Sequence, residues 1–299
     1  MNSVSFNNVT LATDSATRIV RVTGFNSVVS ISNFLISNSD LFSEQAIYLE
    51  GSYRQVAILG LTAENLTIDT DGSIFSIEVA SVLQASQFNF NNIQSYSSDS
   101  TNNFMIDIIS VDISAAFPST LQNLTASNFT TGVLKVQTLT GNLTQNNMFL
   151  IQDLDIFNID VTNSIDLITF TSLITYERYS IIISGVTFHD LNFLQGSNLF
   201  NFQHLINAPV QIVNGSFYDI TGGKINVQSS TSSFSDLSTN LIMSNITVDN
   251  VNAKFDSFIN LQTGAVLSIS ESNLALTLLT VMLFIIKFVL RSEILDVDD

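Results

Sequence analysis

Few residues in this 299-residue chain have the types and neighbours needed for acid–base or metal chemistry. His189-Asp190 sets an imidazole beside a carboxylate that could orient it as a general base. Asp153, Asp155, Asp160 and Asp166 form the densest acidic group and could attract a hard cation such as calcium. However, the sequence has no Asp-x-Asp-x-Asp-Gly loop to hold one, and an alternating strand would split these carboxylates between two faces. Asp69-Thr70-Asp71-Gly72 pairs two carboxylates, but Asp-Gly is a common turn dipeptide, so a turn is expected there. Tyr176-Glu177-Arg178-Tyr179 holds the interior acid–base neighbours and reads as a solvated loop. Glycine-rich phosphate loops and nucleophile elbows are absent from the sequence. Cysteine is absent too, which removes thiolate nucleophiles, zinc fingers and disulfide scaffolds. These residues predict no catalytic, cofactor-binding or metal-ligating set, and no cofactor.

The composition narrows the partners. With 26 acidic and 9 basic residues the formal charge is −17. Phosphate backbones are bound by clustered Lys and Arg, so nucleic acid is excluded as a partner. Only 12% of residues are charged and 45% are hydrophobic, which is too apolar for a disordered chain. Proline occurs only at Pro118 and Pro209.

A repeat must position whatever chemistry exists. An aromatic or β-branched residue, any residue, Asn or Asp, then Ile, Leu or Val recurs along the chain. It appears as Phe6-Asn7-Asn8-Val9, Phe90-Asn91-Asn92-Ile93, Phe188-His189-Asp190-Leu191, Phe217-Tyr218-Asp219-Ile220 and Val248-Asp249-Asn250-Val251. Weaker copies centre on Phe34, Ile68, Phe129, Ile156 and Leu274, giving ten copies about 30 residues apart. Each copy lies in an alternating stretch such as Ile181–Phe188 or Leu241–Val248, which reads as strand. The Asn or Asp tolerates the left-handed conformation of a tight bend between strands. The rhythm of strand, bend and strand predicts an all-β parallel β-helix of about ten irregular coils, with apolar residues stacked inside and Asn stacked at the bends. His189 then fills the variable slot occupied elsewhere by Asn7, Asn91, Tyr218 and Asp249, so it points outward. Ser95–Asn103 and Gln228–Ser235 read as loops between coils. A leucine-rich repeat is the rival fold; Leu121-Gln122-Asn123-Leu124 begins such a pattern, but no regular core follows it.

Over residues 1–273 these irregular coils and the Ser-x-Phe-x-Asp/Asn-Ile pattern resemble the right-handed parallel β-helix proteins of the pectin-lyase-like class. More narrowly they resemble the large β-helix surface proteins of ciliates and similar protists. The resemblance implies fold more than function, although the class includes polysaccharide lyases and hydrolases. Its polygalacturonases carry Asn-Thr-Asp, a paired Asp, Gly-His-Gly and Arg-Ile-Lys. In this chain Asp69-Thr70-Asp71 approximates the first. The Asp pair is confined to Asp298-Asp299, neither His189 nor His204 is flanked by Gly, and Arg18-Ile19-Val20 lacks the lysine. The lyase option needs a cationic base. Arg18, Arg21, Arg54, Lys135, Arg178, Lys224 and Lys254 are too dispersed in sequence to suggest a basic cluster.

The C-terminus changes character. Leu274–Leu290 has 14 apolar residues of 17, and a helix there would run about 25 Å at 1.5 Å per residue. This predicts three parts: the β-helix at 1–273, a transmembrane helix at 274–290 and an acidic tail at 291–299. Lys287 and Arg291 follow the apolar run, so the tail is expected in the cytoplasm and the β-helix outside or in a lumen. The segment around Met1 has no signal-peptide pattern, and truncation at Met1 is the favoured explanation. Sequons at Asn8, Asn65, Asn123, Asn128, Asn142, Asn214 and Asn245 match the number that this composition gives by chance. Two function classes follow. One is a non-catalytic, membrane-anchored surface or structural β-helix that adheres to glycans or other surface proteins. The other is a carbohydrate-active enzyme with an atypical site. A cleft with several carboxylates and a Lys or Arg would favour the enzyme; a flank of Ser, Thr and Asn would favour the surface protein.

Overall fold

The computed structural model describes residues 2–7, 10–11, 18–41, 45–68, 72–95, 103–112, 118–140, 147–171, 179–203, 209–228, 239–253, 257–261 and 265–276. Among the described residues every regular element is a strand. In chain order they are β1 Asn2–Asn7, β2 Thr10–Leu11, β3 Val20–Leu41, β4 Gln45–Ile68, β5 Ser73–Ala80, β6 Leu83–Ser95, β7 Phe104–Asp112, β8 Ser119–Phe129 and β9 Gly132–Thr140. There follow β10 Asn147–Val161, β11 Asp166–Thr171, β12 Tyr179–Gln203, β13 Val210–Gln228, β14 Thr239–Asn252, β15 Ile259–Leu261, β16 Ala265–Ser270 and β17 Asn273–Leu276. Each pairing between them is parallel, and each coil lies on the one before it. The fold is a parallel β-solenoid of about seven turns. Strand on every side of the coil, with no helix among the described residues, separates it from a leucine-rich repeat.

Two one-residue bends shape each coil. In β12, Ser180–Ser184 leads to Gly185 (φ +65°), Val186–His189 crosses a short face, and Asp190 (φ 55°) turns into Leu191–Phe193. The first and third residues of the four between the bends point inward. The third forms a buried column: Ile36, Ala63, Phe90, Ala126, Ile156, Phe188, Phe217 and Val248. Large and small residues alternate at its start, Phe90 sitting between Ala63 and Ala126. Further along, Phe188 and Phe217 rings lie 5.6 Å apart, and Phe200 meets Phe188 edge-on at 5.2 Å from the far side of the coil. Each such ring stabilises the fold by about 1.5–3 kcal/mol through burial alone. Gly215 leaves the space that Phe217 and Ile246 use: a Cβ there would lie 3.0 Å and 2.9 Å from their side chains.

The coil count is lower than the ten repeats suggest, because the copies at Phe6 and Leu274 belong to partial end coils paired to Ile36 and Val248. Three weaker copies are also misplaced. The true equivalents of Phe90 are Ile36, Ala63 and Ala126, not Phe34, Ile68 and Phe129. Two of those slots hold alanine, so a search for aromatic or β-branched residues slips to the nearest one. At the C-terminal end Leu274–Leu276 is strand β17, so no helix begins at Leu274. The remainder of the apolar segment and the tail lie outside the described residues. Among the described residues no helix is long and apolar enough to cross a membrane.

Candidate functional site

The short face and its two bends carry the features that set this solenoid apart. The first bend column is Asn33, Gly60, Gln87, Asn123, Asp153, Gly185, Asn214 and Asn245; the second is Asn38, Asn65, Asn92, Asn128, Asn158, Asp190, Asp219 and Asn250, all at positive φ. Asn dominates because its short amide stabilises the left-handed conformation locally. It also has both a donor and an acceptor, so it can bond to the coils above and below. In the second column Asn65 Nδ2 donates to Asn38 Oδ1 at 3.0 Å, and Asn92 Nδ2 donates to Asn65 Oδ1 at 2.9 Å. At the longest coil the ladder changes partner, and Asn128 Nδ2 reaches Asn91 Oδ1 at 3.0 Å. Asn158 Nδ2 then donates to Asn128 Oδ1 at 2.5 Å.

The ladder stops at Asp190 and Asp219. An ionised carboxylate accepts but cannot donate, so Asp190 offers nothing to Asn158 and Asp219 nothing to Asp190. The ladder resumes where Asn250 Nδ2 donates to Asp219 Oδ1 at 2.5 Å. Across the same two coil steps, one residue earlier in each coil, three rings stack. Phe157 and His189 lie 5.0 Å apart with 2° between planes, and His189 and Tyr218 lie 4.9 Å apart with 8° between planes. His189 Nδ1 sits 2.7 Å from Asp190 Oδ2, and its Nε2 sits 3.5 Å from Asp155 Oδ1. His189 does lie on the outward side, as its slot requires. Its side chain is nevertheless only 20% exposed, because rings cover both faces. With a carboxylate at each nitrogen and a ring on each face, this histidine is held as a pillar.

Two open grooves flank the earlier part of the short face. One, of about 540 Å³, is lined by amides of Asn65, Asn91, Asn92, Gln94, Asn128 and Asn158, with Thr130 and Asp160. The other, of about 770 Å³, runs past Asn33, Thr62, Glu64, Gln87, Asn89, Asn123 and Thr125, with Phe34, Leu35 and Phe88 supplying an apolar part of its wall. Each lining holds one carboxylate, and neither holds a Lys or Arg.

The remaining candidates disperse. Asp153 occupies the first bend column, and Asp155 faces outward on the short face. Asp160 accepts from Asn192 Nδ2 at 2.9 Å beyond the second bend. On the opposite side of the coil Asp166 takes Asn198 and Asn201 amides, each at 2.5 Å. Among the described residues no group of three or more His, Asp or Glu is placed to hold a metal ion. Asp69, Asp71, Glu177, Arg178 and His204 lie outside the described residues. Arg18 and Arg21 do converge at one corner, but both are engaged. Arg21 bonds Glu50 Oε2 through Nε at 2.6 Å and Nη2 at 2.5 Å, and that guanidinium, with the Thr23 hydroxyl, holds the Glu50 carboxyl below its usual range. Arg18 donates to Gln45 Oε1 at 2.9 Å and lies 4.4 Å over the Tyr48 ring.

Phe157, Gln94 and the first bend column escaped the reading of the sequence, and Tyr218 was placed in the outward slot without its stacking on His189. One signal for the stack was present: rings fill the variable slot of three successive repeats. The class defined by these coils is a parallel β-solenoid. No family model, no curated protein and no solved structure matches the chain.

Proposed function

We propose that this is a non-catalytic surface solenoid of pectin-lyase-like type, which binds or packs against other molecules through its grooved short face. One observation carries the reading: each groove has a single carboxylate and no cation in its lining, the rest being amides, hydroxyls and apolar groups, with Phe34, Leu35 and Phe88 in the second groove among them. Glycoside hydrolysis ordinarily uses a pair of carboxylates across the scissile bond, and neither groove holds a pair. His189, the one histidine among the described residues, is enclosed by rings on both faces and lies in neither groove. Attachment to a membrane through the apolar stretch after β17 belongs to the same proposal, with the solenoid outside the cytoplasm. Starting at Thr277 that stretch has 14 residues to Leu290, about 21 Å as a helix, so it suits a thin or locally thinned bilayer.

The test is incubation of the full chain with neutral and acidic polysaccharides, assayed for new reducing ends and for unsaturated products. No release is expected. Release that disappears in Asp160→Asn or Glu64→Gln would overturn the proposal and make the groove an active site.

A further inference from the structure

We infer that the flat face ahead of the first bend is an interface between two copies of this chain. The inference is independent of the groove reading just proposed. In β12 this face is Ser180–Ser184, where Ile181 and Ile183 point inward and are fully buried while Ile182 and Ser184 point out. Its two outward columns run from Ser30 to Ser268 and from Ser32 to Ser270, in register through β3, β4, β6, β8, β10, β12, β13, β14 and β16. Neither column contains an Asp, Glu, Lys, Arg or His, in a chain of net charge −17. The carboxylates sit elsewhere: Asp153 and Asp190 on the bends, Glu64, Asp155 and Asp249 on the short face, Asp166 on the opposite side of the coil. On four successive coils the columns carry Leu150, Ile182, Val213 and Ile242, each outward and half-buried. Val28 and Leu59, on the same face nearer its start, are 51% and 48% exposed. Every described strand belongs to the coil stack itself, so none is left to cover this face.

Charge and size select the occupant. A basic partner would be drawn to the carboxylates of the bends and the short face. Two copies of net charge −17 repel one another and approach best where neither presents a carboxylate. A two-fold axis lying in the plane of the face sets the aliphatic block of one copy on that of the other, with Ser, Thr and Gln as its rim. Eight strand spacings of about 4.8 Å by five residues of about 3.3 Å give roughly 600 Å² per copy before side-chain relief. A stable interface takes roughly 600–1,000 Å² from each partner. Covering the polar part costs little where amides already pair, as Gln122 Nε2 does with Gln152 Oε1 at 2.7 Å.

Sedimentation velocity of the full chain in a mild non-ionic detergent, from about 1 to 100 μM, tests this. The protein mass should approach twice the 32.7 kDa of one chain. Association should hold or tighten at about 0.5 M salt, because screening removes repulsion and no interfacial ion pair is lost. Ile182→Lys sets like charges within the aliphatic block and should weaken the dimer at least about tenfold. Ile182→Gln, the residue this column carries at Gln84 and Gln211, replaces it if the lysine alters the circular dichroism or urea midpoint, with a loss of about threefold or more. Thr187→Lys, outward on the short face of the same coil, should leave the dimer unchanged. A wild-type monomer at the highest concentration overturns the inference, and so does a dimer dispersed by salt. A dimer that survives the Ile182 variants, as expected if association runs through the apolar stretch after β17, overturns it too. Equal loss with Thr187→Lys does the same, as does a monomer whose binding to neutral phosphatidylcholine vesicles depends on Ile182.

Discussion

Two stretches of one bend column solve the same problem with different chemistry. From β3 to β10 the coils are tied at the second bend by asparagine amides that donate to the coil below, with Asn91 taking the place of Asn92 as the acceptor for Asn128. From β10 to β13 the ties at that bend are missing, because Asp190 and Asp219 follow one another. There the neighbouring position holds the Phe157–His189–Tyr218 stack, bridging the two coil steps that the ladder skips. A carboxylate can end an amide ladder but cannot continue one. The far side of the coil obeys the same rule: Asn260, Asn226 and Asn201 donate in sequence at 2.9, 2.9 and 2.5 Å, and the run ends on Asp166. The stacked segment is a substitute for the ladder, and the comparison can be broken at several points.

The largest effect should come from beneath the stack. Phe188→Ala empties a fully buried site between Phe200 and Phe217 and should cost about 3–5 kcal/mol in urea unfolding. A small loss would mean that the column at this bend is not the core. A matched pair of surface variants then separates the two kinds of tie. Asn92→Ala removes a ladder bond and places alanine at φ 56°, for a combined cost of about 2–3 kcal/mol. His189→Ala breaks both ring contacts at an ordinary strand position and should cost about 1–2 kcal/mol. Hydrogen exchange should show the damage around β4, β6 and β8 in the first variant and around β10, β12 and β13 in the second. Damage in the same coils for both would dissolve the distinction.

The contrast also explains what the sequence could reveal. The solenoid was legible because inward positions select apolar residues and the second bend selects Asn or Asp, two constraints that act locally on each coil. Registration failed at Ala63 and Ala126, where a neighbour's bulk, not the residue's own, fills the core. The first bend column was hidden because Gly60, Gln87, Asp153 and Gly185 satisfy it without a shared side chain. The sequons gain a physical reason. Asn65, Asn123, Asn128, Asn214 and Asn245 are all left-handed bend residues, each followed by one inward residue and then an outward Thr or Ser. Asn, one inward residue, then an outward Thr or Ser is what both bends of this fold favour, so their number needs no selection for glycosylation. The grooves and the ring stack stayed hidden because they join residues from different coils, and the wandering repeat length masks which residues become neighbours.

The smallest expected effect is the most specific, since its sign is unusual. Asp219→Asn should stabilise the chain by about 1 kcal/mol, the worth of one added hydrogen bond at a partly exposed site. The amide keeps the oxygen that accepts from Asn250 at 2.5 Å and keeps the left-handed preference required at φ 55°. It adds an Nδ2 donor facing Asp190, whose carboxylate stays held by His189 Nδ1 at 2.7 Å, and it removes one of two like charges on successive coils. The mirror change is Asn65→Asp, which deletes the donor to Asn38 at 3.0 Å while still accepting from Asn92, and it should cost a similar amount. Urea midpoints of the two variants should therefore move in opposite directions, with slower amide exchange in β12 and β13 for Asp219→Asn. If Asp219→Asn is neutral or destabilising while Asn65→Asp is costly, the two aspartates are not a gap in the ladder. The ring stack would then be an ornament of the surface with no part in joining these coils.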